Sequence, residues 1–276
     1  MTILMKYPYF YLIILLFTIC FFFKLSEINK TIMMSSTTKM KIEVWSDVMC
    51  PFCYIGKRNY EGALKQFDDS NNIEIIWKSF QLDPSIPEKT NPNESVYEYL
   101  AKRKGMSIEQ AKSLHTSVEE TAKKAGLEFN FEKAKIVNSL KAHRVIQFSK
   151  TKGLGNEMEE VLFKAYFTDG KDIASQETLI SLGESIGLKQ SDIIEALQND
   201  EYAILVQKDI QEAQQLRVTG VPFFVFDRKY AISGAQPTEV FLQTLKQSFT
   251  EWKNTNQPSQ LNINNGPICT PEGECQ

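Results

Sequence analysis

A chain of 276 residues, 42% hydrophobic and 24% charged, can bury an ordinary globular core and has room for one large domain or two small ones. Its net charge is −3 and no block of five or more like charges occurs, which excludes the concentrated basic face that phosphate binding needs; nucleic acid is not an expected partner. The five cysteines are too sparse for a disulfide-stapled scaffold, but four fall into two close pairs, Cys50 with Cys53 and Cys269 with Cys275, a pattern of redox work or metal binding.

In chain order, residues 9–23 come first as an almost unbroken apolar run, with Lys6 before it and Lys24 and Lys30 after it. The run is shorter than the roughly 20 residues of a full membrane span and has the length of a signal-peptide core. No small-x-small cleavage site follows, and the bulky Ile19 argues against Cys20 as a lipoprotein cysteine. The literal reading is an uncleaved anchor with membrane contact through residues 9–23, giving an anchored or exported protein. Met33, Met34 and Met40 offer later starts that would give a cytoplasmic one. Both stay open at this point, and residues 1–39 read as a hydrophobic segment plus a polar linker.

Residues 41–46 alternate polar and apolar and predict a strand. Cys50-Pro51-Phe52-Cys53 follows at once, and Ile55, Tyr60, Ala63, Leu64 and Phe67 then recur at helical spacing. Residues 73–80 predict a second strand, ended by Asp83-Pro84 and Pro87. Residues 95–215 are helical in character throughout, punctuated by glycines at 105, 126, 153, 155, 170 and 187, with a helix start near Ser191. Phe223-Phe224-Val225-Phe226 reads as a short buried strand, and Tyr230-Ala231-Ile232 as its partner across Asp227-Arg228-Lys229. Residues 237–253 form a last amphipathic helix with Val240, Phe241 and Leu245 on one side. The order is β-α-β, a helical block, then β-β-α. This predicts an α/β thioredoxin fold over residues 40–253 with a large helical insertion at about 84–215, and a flexible tail over 254–276.

A Cys-x-x-Cys pair that opens a helix has a specific chemistry. The unpaired N–H groups and dipole of the first turn favour a thiolate on Cys50, and Cys53, one turn in, is placed to resolve a mixed disulfide formed there. Pro51 suits the first helical position, where its missing N–H costs nothing. A zinc half-site is the alternative, but it needs two further ligands and the chain has only His115 and His143, so no metal is expected. Val221-Pro222, just before the third strand, predicts either an ordinary trans proline at a strand start or a cis bond beside the cysteines that leaves Val221 free to pair with an extended peptide. Trp45 and Phe52 either shape that peptide groove or are core.

Taken together, strand-CPFC-helix, the segment Trp77-Lys78-Ser79-Phe80-Gln81-Leu82-Asp83-Pro84, the helical insert, Gly220-Val221-Pro222 and Ser233-Gly234-Ala235-Gln236-Pro237 resemble the DsbA family over about residues 40–276, and more narrowly its FrnE-like branch. The resemblance implies dithiol–disulfide exchange on thiol- or disulfide-containing proteins. Cys50 and Cys53 would be catalytic, and Pro51, Phe52, Val221 and Pro222 would bind substrate. It implies no cofactor beyond the redox-active disulfide, with glutathione or a thioredoxin-type partner protein as reductant. The tail cysteines, Cys269 and Cys275, match a feature of the branch. Five residues with Pro and Gly between them let the two sulfurs meet, either as a relay to Cys50 or as a structural tail disulfide. Asn138 and Ala142-His143-Arg144 also resemble a segment of this branch, and His143 is either a modulator facing the thiolate or a solvated or hydrogen-bonded helix histidine.

Two other functions compete. Glutathione-dependent isomerases or transferases of the hydroxychromene-carboxylate isomerase and kappa kinds resemble this chain in fold but typically carry serine where Cys50 stands. A chaperone-like peptide-binding module would use the apolar groove without turnover. Direction of exchange depends on potential and compartment rather than fold, and Pro-Phe between the cysteines leans toward the oxidising or isomerising side.

Overall fold

A computed structural model describes residues 39–91 and 94–256. The expected anchor or signal run lies outside the described residues, as does Cys20. The expected secondary redox pair, Cys269 and Cys275, lies outside them too. No helix among the described residues is long and apolar enough to cross a membrane.

The β-branched and aromatic runs form the strands they predict. Strand β1 (Met40–Ser46) pairs in parallel with β2 (Ile73–Ser79) and antiparallel with β3 (Phe223–Phe226), and β3 pairs antiparallel with β4 (Tyr230–Ser233). The order is β2-β1-β3-β4, so β1 is central. Both of its faces are covered. On one, α1 (Pro51–Leu64) and α9 (Thr238–Asn256) send Tyr60, Ala63, Phe241 and Leu245 onto Ile42, Val44 and Phe224. On the other, Trp45 packs with Ala213, Val218 and Val225. Trp45 is therefore core rather than groove: its indole N–H donates to the Asp209 carbonyl at 2.9 Å, and none of its surface is exposed. Strand alternation puts Trp45 opposite Val44, but only the folded chain reveals that this face too is roofed.

The insertion carries α2 (Val96–Lys104), α3 (Ile108–Lys124), α4 (Leu140–Thr151), α5 (Gly155–Phe163), α6 (Gln176–Ser185), α7 (Gln190–Gln198) and α8 (Asp200–Gln215). Helices α2 and α3 open with reciprocal capping boxes, Ser95 with Glu98 and Ser107 with Gln110. Gly105 ends α2 at φ 65°, a left-handed turn that glycine adopts without a Cβ penalty. Helix α5 runs into a π-helical turn, Lys164–Thr168, which buries Tyr166 and Phe167. One expectation fails in α9: Phe241 and Leu245 are buried, but Val240 is 38% exposed. Adjacent helical positions lie about 100° apart, so Val240 leaves the stripe its neighbour occupies.

Candidate active site

The turn between β1 and α1 is built by Asp47. Its carbonyl accepts the Cys50 N–H at 2.9 Å, and its carboxylate accepts Met49 N–H at 3.2 Å and Leu82 N–H at 2.7 Å. Cys50 then stands at the N-cap in extended backbone (φ −89°, ψ 112°), with Pro51 opening the helix. The first helical turn brings Cys53 beneath Cys50, its N–H on the Cys50 carbonyl at 3.0 Å. Both cysteines are free thiols; Cys50 retains 4% exposure and Cys53 none. Burial raises the Cys53 thiol well above its ordinary range and the adjacent Cys50 raises it further, whereas hydrogen bonding from the Asp47 backbone pulls the other way. The structure brings Cys50 and Cys53 together in this way; Cys269 and Cys275, expected as a second pair, fall outside the described residues and are not placed at the site.

The Val221–Pro222 bond is cis, and the Cys50 thiol points at the Val221 carbonyl with S···O 3.5 Å. Gly56, on the same helix as the cysteines, lets this loop close in: a Cβ there would stand 3.0 Å from Pro222 Cγ and 3.4 Å from the Phe224 ring. The Pro222 carbonyl is in turn fixed by Gly234 N–H at 2.8 Å.

In front of Cys50 lies a cavity of about 630 Å³, within the range of small-molecule and side-chain sites. Cys50, Phe52 and Val221 form one end; Val96, Leu100, Phe131 and Phe167 supply much of its apolar wall. Phe52, Leu82 and Leu114 are 43%, 41% and 49% exposed at its edge, so Phe52 is not core. Arg103, one of its few cations, is pinned by an ion pair with Asp83 and donates to the Leu82 carbonyl at 2.7 Å and to the Tyr99 hydroxyl at 3.0 Å. His115 also lines the cavity, its Nδ1 2.8 Å from the Ala111 carbonyl.

Behind the turn lies a closed charged layer. The His143 ring is wholly buried, with Nε2 3.4 Å from Asp47 Oδ1. It does not meet Cys50 directly, nor is it solvated or hydrogen-bonded: neither ring nitrogen has a hydrogen-bond partner. Burial pushes the imidazole toward its neutral form, but the Asp47 carboxylate, Glu159 and the Phe80 carbonyl together raise its pKa above the ordinary value. Glu159 is equally buried with one oxygen unpartnered, and burial lifts it to about 7. Its neighbour Glu160 has the opposite fate. Burial disfavours its charge, yet hydrogen bonds from Arg58 (2.9 Å), Lys57 (2.7 Å) and the Tyr54 hydroxyl (2.8 Å) hold it down at about 2. Asn138 is a structural clip, donating to the Ile86 carbonyl at 2.6 Å and accepting from Gln81 at 3.2 Å. Sequence reasoning singled out Cys50, Cys53, Phe52, Val221, Pro222 and His143 and missed Asp47, Lys57, Glu159 and Glu160. An acid three residues before the first cysteine was the one local signal available. Among the described residues, no group of three or more His, Cys, Asp or Glu side chains is arranged to hold a metal ion.

Residues 41–246 match the family model of the DSBA-like thioredoxin domain. The chain is 29% identical over 204 residues to the uncharacterised protein YwbO of Bacillus subtilis (strain 168), an alignment spanning 72% of this chain and 92% of that one. It is similar to the crystal structure of a probable DsbA oxidoreductase from Streptomyces coelicolor, with TM-score 0.72 and 33% identity over 86% of this chain and 98% of that chain. Two more distant structures share the fold alone. One is the cytosolic disulfide reductase DsbM from Pseudomonas aeruginosa with GSH (14% identity, TM-score 0.51, 79% of this chain and 100% of that). The other is a 2-hydroxychromene-2-carboxylate isomerase (15% identity, TM-score 0.54, 80% of this chain and 100% of that).

Proposed function

Because the chain belongs to the DSBA-like thioredoxin domain family, we propose that it is a thiol–disulfide oxidoreductase acting on protein substrates through Cys50 and Cys53. The observation that carries this reading is the placement of Cys50: a free thiol at a helix N-cap, open to a cavity and facing the cis Val221–Pro222 loop, with Cys53 buried behind it. In the reducing direction, the Cys50 thiolate attacks one sulfur of a substrate disulfide and releases the other as a thiolate. Cys53 loses its proton and attacks Cys50, leaving a Cys50–Cys53 disulfide and the second substrate thiol. Oxidation of a dithiol substrate is the same sequence reversed. Pro51 and Phe52 flank the reacting sulfur, and the Val221 segment pairs with the extended substrate backbone.

The largely apolar cavity wall suits a protein or peptide segment as its occupant. Glutathione or a thioredoxin-type protein serves in this reading as the regenerating reductant. A FrnE-like relay through Cys269 and Cys275 belongs to the same reading and rests on their sequence spacing alone. The isomerase or transferase alternative draws on fold, and the cysteine at position 50 stands against it. Insulin reduction and oxidation of reduced ribonuclease, each run with the full chain and with Cys50→Ser, decide the matter. Both activities should fall to background in the variant, and a variant equal to the unmodified protein in both assays refutes the reading.

A further inference from the structure

We propose that Asp47 and His143 form a buried positioning pair that holds the Cys50 turn and balances its charge, so that His143 sets how readily the Cys50–Cys53 couple is reduced. This rests on the exchange reading above.

Asp47 is 1% exposed, and each oxygen of its carboxylate takes one backbone N–H, from Met49 and from Leu82. Its carbonyl holds the Cys50 N–H. One side chain thus ties the turn, the segment after β2 and the first cysteine together. When ionised, a carboxylate so bonded is an acceptor-only anion. It sits in a low-dielectric interior three residues from a sulfur that must carry negative charge to react, which by itself disfavours that charge.

His143 supplies the compensation. Its Nε2 is 3.4 Å from Asp47 Oδ1, an ion-pair distance, and neither ring nitrogen makes a hydrogen bond. The groups that face it are Asp47 from the turn after β1, Glu159 from α5 and the Phe80 carbonyl after β2; Lys57 of α1 and Lys150 of α4 act on Glu159 in turn. Two acids and a carbonyl around a wholly buried ring favour the imidazolium. Buried ion pairs contribute little net stability compared with apolar packing, so stability is a poor reason for a charged pair at this place. A cation there favours the reduced, anionic state of the couple over the neutral disulfide. By linkage, reduction must in turn favour the cation.

The test is the reduction potential of the full chain, measured by equilibration with dithiothreitol or glutathione redox buffers. His143→Gln should disfavour the dithiol by about tenfold, a shift of ~30 mV toward more negative potential. An unmoved potential in His143→Gln, or a shift toward a more positive one, overturns the pair. A measurement on the unmodified protein covers the case in which a variant does not fold. With only two histidines in the chain, the ¹⁵N-labelled His143 ring can be titrated in the oxidised and reduced states, with His115 as the internal control. His143 should bind its proton more tightly in the reduced state, and identical titration in both states refutes the inference. A chain that forms no measurable Cys50–Cys53 couple fails the exchange reading instead, so the two failures are distinguishable.

Discussion

The two sides of the Cys50 turn are built on opposite principles. In front, the cavity wall is largely apolar, its rim leaves Phe52, Leu82 and Leu114 partly in solvent, and Arg103 is spent on Asp83. Behind, Asp47, His143, Glu159 and Lys57 are almost or wholly excluded from water. Cys50 and Cys53 are one helical turn apart, yet one opens to the front and the other is sealed against the back. Two identical side chains acquire different surroundings because of what lies on each side, not because of the motif they share. The adjacent pair Glu159 and Glu160 repeats the lesson within the charged layer itself, one lifted to about 7 by burial and the other held at about 2 by its partners.

The contrast breaks most visibly at the cysteines. Cys53→Ser should leave the attack by Cys50 intact and abolish its resolution, so mixed disulfides with substrate accumulate on non-reducing gels and turnover drops to background. Double replacement of both cysteines should form none. Next in size is Glu160→Gln, which removes one of the two acids, Glu160 and Glu61, that pair with Lys57 and Arg58. Loss of hydrogen bonds to charged groups should lower stability by about 1–3 kcal/mol in urea unfolding at pH 7. The folded value of Glu160 lies below the unfolded one, so this contribution is present above about pH 4 and disappears as pH falls toward 2. Glu159 sharpens the comparison with the reverse sign. Its folded value lies above the unfolded one, so the stability linked to its proton is full below about pH 4 and is lost as pH rises through about 7. Glu159→Gln should therefore match the unmodified chain at pH 4 and exceed it at pH 8, by about 5 °C in Tm. On the front, Leu82→Ala removes part of the apolar rim and should raise KM for peptide substrates about three- to tenfold, leaving turnover of a small aromatic disulfide unchanged. Smallest of all, Val240→Lys should change stability by less than about 0.5 kcal/mol, because this side chain leaves the buried stripe of α9.

What was legible in the sequence was local. Strand, Cys-Pro-Phe-Cys and helix follow one another within a short window, and β-branched or aromatic runs mark each strand at once. The Val221–Pro222 loop was legible because it abuts such a run. The charged layer was not, because it joins the β1–α1 turn to α4 and α5 across most of the insertion, and no spacing rule links Asp47 to a histidine at 143. Neither does a helical pattern tell Glu159 from Glu160: consecutive acids read as one solvated face, and the rotation of α5 against its neighbours decides which is sealed. Trp45 stays undecided in the sequence for a related reason, since alternation assigns a residue to a face but not a roof to that face.

The strand order β2-β1-β3-β4 also has a consequence for how the molecule is made. The cysteines leave the ribosome with the first strands, whereas Val221 and β3 follow only after the whole insertion has been synthesised. During that interval Cys50 has a helix but no facing loop, and the sheet lacks its middle pairing. Closing so long a loop carries an entropic cost before any contact across it forms. Until Val221 and β3 have been made, Cys50 therefore lacks the surface that faces it in the folded chain.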